Sequence, residues 1–178
     1  MFAGNIGEAQ DFEHIMQAIL LLKEKQDIQF IFIGDGRKRS WVEEFIKKHN
    51  LTQTVHILGR FPLEAMPAFF EQADVMLLAL KDELIFNLTV PAKLQAYMAA
   101  GKPVIAMLNG EGSEIIKEAN CGIVSDAGNY IGLAQNILYL KNISSTQLEQ
   151  MGQKGKQYCW LHFNKQKCID HLVDILKL

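Results

Sequence analysis

Cysteine is scarce in this sequence. Cys121, Cys159 and Cys168 are an odd, widely spaced set with no C-x-x-C pair. Such a set builds neither a disulfide frame nor a zinc finger, and it fits a reducing compartment. No apolar run approaches the ~20 residues of a membrane span. No basic-apolar-small leader opens the chain, so a cytoplasmic protein is expected. A charge excess is missing too. Lys and Arg number 18 against 20 for Asp and Glu, a net charge of −2, which gives no reason to invoke nucleic acid or an anionic membrane surface. His14, His49, His56, His162 and His171 show no metal-ligand spacing, and no Ser/His/Asp order stands out. They are read as structural or surface residues, and no metal is expected.

What is present is an alternation. The 178 residues, 49% hydrophobic and 21% charged, suit one domain with a substantial core. Apolar Met1–Ala3 runs into Gly4-Asn5-Ile6-Gly7, followed by Phe12, Ile15, Met16, Ile19 and Leu20 at helical spacing. The run 28–33 (IQFIFI) reads as a strand buried on both faces. It ends in Gly34-Asp35-Gly36, and Arg37, Lys38 and Arg39 open a helix carrying Trp41, Val42, Phe45 and Ile46. Further strands are expected at 55–58, 74–80, 103–107 and 121–124, and late helices at 130–140, 145–158 and 164–176. The pattern implies an α/β fold, Rossmann-like and three-layered (α/β/α), around a mainly parallel six-stranded sheet. Ligands of such sheets sit outside the carboxyl ends of the strands, where the strand order reverses. The glycine-rich loops all fall at those ends.

One helix start is unusual. Pro91 suits a first helical position, Thr89 lies close to the cap, and Lys93 puts a cation where the helix dipole is already positive. Free N–H groups, a positive dipole end and a lysine make a phosphate cradle. An ordinary solvated lysine is the other reading of these residues. The three cations at 37–39 raise the same choice between a nearby anion and a solvated basic turn. Phe61, after Gly59-Arg60, fits either stacking against a base or core packing. Gly110-Glu111-Gly112-Ser113-Glu114 is either a ligand loop or a normal helix start. Gly4 and Gly7, like Gly34 and Gly36, fit either backbone phosphate contacts or tight turns.

The segment TVPAKLQAYMAAGKPVIA (89–106), with MAAGKPVIA its most specific part, resembles the group 1 (family 4) glycosyltransferases. It is most similar to the branch that includes fucosamine-transferase-like enzymes. The LGR-x-P…A-D-V pattern from Leu58 to Val75 and the G-D-G turn resemble the same family, so the likeness covers most of the chain. It implies the C-terminal, donor-binding half of a GT-B fold, with residues 1–178 a single nucleotide-sugar-binding domain that lacks an N-terminal acceptor domain. It further implies retaining, metal-free transfer from a nucleotide-sugar, expected to be a UDP-sugar and a substrate rather than a cofactor. The acceptor would be a glycan or lipid-linked, with peripheral membrane association of the full-length protein, in polysaccharide biosynthesis. The isolated chain is expected to bind nucleotide without turnover, and no catalytic residue is assigned.

By that resemblance the donor contacts are Gly4, Asn5, Gly7, Gly34, Gly36, Arg37, Arg60, Phe61, Thr89, Lys93, Ala96, Glu111 and Gly112. Two departures stand out. Where the family often has an arginine and a lysine in the first loop, this chain offers Asn5 and Gln10. In the family's E-x7-E motif the two glutamates align with Leu88 and Ala96, and the second usually grips the ribose. Asp82 and Glu83 are candidate substitutes. A degenerate, non-catalytic relative is therefore an alternative, as is a nucleotide-sugar 2-epimerase, although its carboxylate and histidine constellation is not seen. A phospho-receiver module would need paired acids after the first strand, where Gly4-Asn5-Ile6 stands instead.

Overall fold

The computed structural model describes residues 1–176. Strands and helices alternate as β1 (Phe2–Ala3), α1 (Phe12–Leu21), β2 (Phe30–Ile33), α2 (Arg39–Lys48), β3 (Val55–Gly59), α3 (Met66–Glu71), β4 (Met76–Ala79), α4 (Leu84–Asn87), α5 (Ala92–Ala99), β5 (Val104–Met107), α6 (Glu111–Glu118), β6 (Gly122–Ser125), α7 (Tyr130–Asn142), α8 (Ser145–His162) and α9 (Lys165–Leu176). Every strand pair is parallel, with Phe2 opposite Phe32, Phe32 opposite Ile57, and Ile105 opposite both Leu77 and Ile123.

The expected six strands form two sheets of three, β1-β2-β3 and β4-β5-β6. The sheets meet edge to edge along β1 and β4. The Leu77 N–H donates to the Met1 carbonyl at 2.7 Å, and the Met1 amine donates to the Val75 carbonyl at 2.7 Å. At the next position the ladder stops. The Tyr97 hydroxyl, from α5, accepts from the Ala3 N–H and donates to the Ala3 carbonyl, both at 3.0 Å. The reason for the split is local. β1 ends after two residues because Gly4, at φ +139°, turns the chain away, and a buried backbone pair left without a strand partner must be satisfied by something else. The spatial order β3-β2-β1-β4-β5-β6 is that of a doubly wound fold, with its reversal between β1 and β4.

Alternate strand residues enter two cores. Phe2, Phe32, Leu77 and Ile105 pack with α1, α2 and α7, while Ala3, Ile33, Met76 and Leu78 pack with α3, α5 and α6. Burial on both faces explains the near-continuous apolar runs. Helix α9 leaves Ile169, Leu172, Val173 and Ile175 exposed. The short helix α4 lies between β4 and α5, and α5 starts one residue later than expected, with Pro91 as its cap.

Candidate functional site

At the carboxyl ends of β1, β2 and β3 three backbones converge. The Gly4 N–H donates to the Ile33 carbonyl and the Gly34 N–H to the Gly59 carbonyl, each at 2.8 Å. A Cβ on Gly34, at φ +138°, would collide with the Gly4 carbonyl, and one on Gly36 with that of Ile6. The glycines are therefore required by chain packing before any ligand is considered. What their closeness leaves is a groove of about 330 Å³ walled by Gly4, Asn5, Ile33, Gly34, Asp35, Arg60, Phe61, Leu63 and Met66. One rim is polar. Asp35 accepts from the Gly36 N–H at 2.8 Å and lies 3.5 Å from Arg60 and 3.9 Å from Arg39. The other is apolar: Phe61 is 42% exposed, its ring 4.6 Å from that of Phe69. An aromatic face beside a polar rim suits a flat, hydrogen-bonding ring. A larger hollow, about 540 Å³ and lined by α5 and α8 residues such as Ala99 and Trp160, includes none of the candidate residues.

Helix α5 brings Lys93 to the edge of this groove. Its stem lies on Gly4, where a Cβ would approach the lysine Cε to 2.6 Å. Its Nζ sits 4.1 Å from the centre of the Phe2 ring. The ammonium is buried without a hydrogen-bond partner, and burial lowers its pKa to about 8. A cation kept out of water, unpaired, at a helix N-terminus carries an electrostatic cost that an anion reaching it would relieve. Pro91 in turn touches Gly112 on the first turn of α6, where a Cβ would approach the proline Cδ to 3.2 Å. A path of contacts therefore runs from the Phe61 groove through Gly4 and Lys93 to α6.

The cations of α2 behave otherwise. Lys38 pairs with Glu13 at 2.5 Å and Glu8 at 3.2 Å, and Arg39 with Glu43 at 2.8 Å. Lys81 joins the same network through Glu8 at 3.4 Å. The anion those cations call for is supplied within the chain. Arg37 and Asn5 are exposed. Gly7 is buried and donates its N–H to Gln10 Oε1 at 3.2 Å, so Gln10 is turned onto its own loop. Thr89 does not cap α5. Its hydroxyl donates backward to the Ile85 carbonyl at 2.9 Å, closing the end of α4. Ala96 is exposed on α5, and Glu111 on the first turn of α6. Asp82 is already bonded by Asn87 at 2.8 Å and by Asn109, which hold its carboxyl below the usual range. Among the described residues no group of three or more His, Cys, Asp or Glu could hold a metal ion. Phe2, Asp35, Leu63 and Met66 were not singled out from sequence. Phe2 reads there as one more apolar strand residue, and Asp35 as part of a glycine turn.

Comparison with known proteins bears on the family and the fold. Residues 1–142 match the family model described as Glycosyl transferases group 1. The chain is 36% identical over 141 residues to the "Probable glycosyltransferase WbjE" of Pseudomonas aeruginosa, covering 76% of this chain and 34% of that protein. The chain spans a third to two-fifths of the length of the curated relatives it matches. By fold it resembles a TarM mutant of S. aureus in complex with fondaparinux, alpha-GlcNAc-glycerol and UDP. That likeness has a TM-score of 0.83 at 16% identity and covers 97% of this chain and 34% of that one. It likewise resembles the C-terminal domain of the group 1 glycosyl transferase LpcC from Francisella tularensis, with a TM-score of 0.72 at 21% identity, over 92% and 86% of the two chains.

Proposed function

The chain belongs to the group 1 glycosyltransferases, and from that premise we propose that it is the donor-binding part of such an enzyme. The observation that carries this reading is the unpaired, buried Lys93 ammonium at the start of α5. A donor's diphosphate lies along Gly4, Lys93 and the first turn of α6, with Gly112 and Glu111 beside it. Its base lies in the Phe61–Arg60 groove, on the far side of Gly4. As the sugar–phosphate bond breaks, negative charge gathers on the leaving diphosphate. A cation and helix N–H groups already in place stabilise that charge without reorganising. UDP is the proposed nucleotide, since structural relatives are described in complex with it. Retaining transfer is proposed, to a glycan or lipid-linked acceptor held by a further, N-terminal domain. The nucleotide-sugar is the substrate and no cofactor takes part. The chain alone then binds nucleotide without transferring sugar.

A second reading rests on Ala96. With no carboxylate at that position the ribose hydroxyls lose their usual acceptor, which fits a relative that kept the fold and lost turnover. Thermal denaturation against UDP, GDP, ADP and their sugars tests the first reading. Ligand at about 100 times its dissociation constant adds about 2.7 kcal/mol, which raises the melting temperature of a chain of this size by roughly 5–10 °C. A shift with one nucleotide identifies the donor's base. No shift with any of them rejects the donor reading for this chain.

A further inference from the structure

The Lys93 ammonium has no carboxylate, carbonyl or hydroxyl at hydrogen-bonding distance, yet it occupies a defined place. Two features of β1 create that place. The first is the face of Phe2, 4.1 Å below the Nζ. The ring is fixed from behind by edge-to-face packing against Phe12 at 5.0 Å and Phe32 at 6.1 Å, and the residue is wholly buried. The second is the missing side chain of Gly4, whose Cβ would stand 2.6 Å from the lysine Cε. We propose that Phe2 and Gly4 are positioning residues for donor binding: the ring face holds the Lys93 ammonium, and the bare Cα admits its stem, at the point where a diphosphate enters.

The physical case is one of electrostatics without a counter-ion. An aromatic face carries negative quadrupole density, which attracts a cation but does not neutralise it. A carboxylate in that place would neutralise the lysine and have to be displaced by the incoming anion. Acids on the neighbouring loops and on α1 are engaged elsewhere: Asp35 with Arg60 and Arg39, and Glu8 and Glu13 with Lys38. The Tyr97 hydroxyl, one helical turn along, is held by Ala3. The ring therefore keeps the lysine ordered and leaves its charge available. This rests on the reading of the crevice as a donor site, and the test separates the two.

Lys93 is titrated by NMR of its side-chain Cε signal, assigned with Lys93→Met, in three forms of the 178-residue chain: unaltered, Phe2→Leu, and with Phe2 replaced by 3,4,5-trifluorophenylalanine. Trifluorination keeps the ring's shape while cancelling its negative face, so it serves where leucine disturbs the core. Both replacements are expected to lower the Lys93 midpoint by roughly half to one pH unit. UDP affinity at pH 8 should then weaken two- to fivefold, because more of the lysine is neutral before binding. A midpoint that stays put or rises in the trifluorinated protein overturns the positioning role, since a merely structural ring would not set it. If the unaltered chain binds no nucleoside diphosphate, the donor reading falls, while the lysine midpoints still decide the role of Phe2.

Discussion

Helices α2 and α5 both open on basic residues, and the chain treats them in opposite ways. At α2 Lys38 and Arg39 meet Glu8, Glu13, Glu43 and Asp35, and Arg37 is exposed. At α5 the single lysine meets an aromatic ring, a glycine and no anion. In sequence the two starts raise the same choice between a nearby anion and a solvated basic turn, with three cations at one and a single lysine at the other. The difference lies in who supplies the negative charge. Where the protein supplies it, the basic residues join elements together. Where it does not, the fold keeps a cost in its unliganded state that a ligand can remove.

The comparison breaks most readily at Lys93. Replacing it with methionine should stabilise the unliganded chain by about 3 kcal/mol at pH 7, the cost of holding a lysine at a pKa of about 8 instead of 10.5. The same change should weaken nucleoside diphosphate binding by roughly tenfold to a hundredfold, through loss of a charge-assisted contact. Denaturant unfolding and calorimetry check the two halves. A lysine whose removal costs stability belongs with the α2 set, and the contrast would be lost.

The pH dependence sharpens the same point. Below pH 8 the lysine is charged in both folded and unfolded chains, and the folded state bears the full penalty. Between pH 8 and 10.5 the unfolded chain binds more protons, so the native chain gains stability as pH rises. Burial pushes Tyr97 upward and Cys121 to about 11, and both work in the opposite direction in the alkaline range. The measurement is therefore the stability gap between Lys93→Met and the unaltered chain, which should be widest below pH 8 and close toward pH 10.5. A diphosphate restores the charged form, so binding at pH 9 should take up close to one proton. Calorimetry in two buffers of different ionisation enthalpy reads this directly.

Two smaller effects concern the groove and the seam. Phe61→Ala should weaken binding of a nucleoside diphosphate by roughly 1–3 kcal/mol if a base stacks on it, and leave binding of inorganic pyrophosphate unchanged. Tyr97→Phe removes the hydroxyl that serves Ala3, leaving a buried N–H and carbonyl unpaired. A loss of about 1–3 kcal/mol is expected, seen as a melting point lower by roughly 2–10 °C. Smallest is Lys38→Met, which should lower the melting temperature slightly and leave nucleotide affinity unaltered. A loss of affinity there would erase the distinction between the two helix starts.

The alternation of apolar runs and amphipathic helices carried the order of the elements, the parallel pairing and the gathering of loops at the strand ends. These follow from periodicities that are local: period two or continuous burial for strands, 3.6 for helices. Lys93 was also legible, because a cation at the first turn of a helix is anomalous by position alone. Local patterns do not reveal which charges find partners. Glu13 lies 25 residues from Lys38, and only the packing of α1 beside α2 brings them together. Thr89 illustrates the same limit at short range. Its hydroxyl had two helix ends within reach, and the four-residue α4, too short to show a period, took it.

The sequence by itself determined the α/β alternation, the family and the residue at which an anion site is conceivable. Burial of strands and helix faces is written in the spacing of side chains along the chain. The tertiary structure alone decided the division into two three-stranded sheets with the Tyr97 hydroxyl at their seam. It alone also set the Lys93 ammonium over the Phe2 ring, beyond reach of any carboxylate in the described chain. Those outcomes depend on distances between residues some 90 positions apart, and a distance of that kind exists only once the strands have paired.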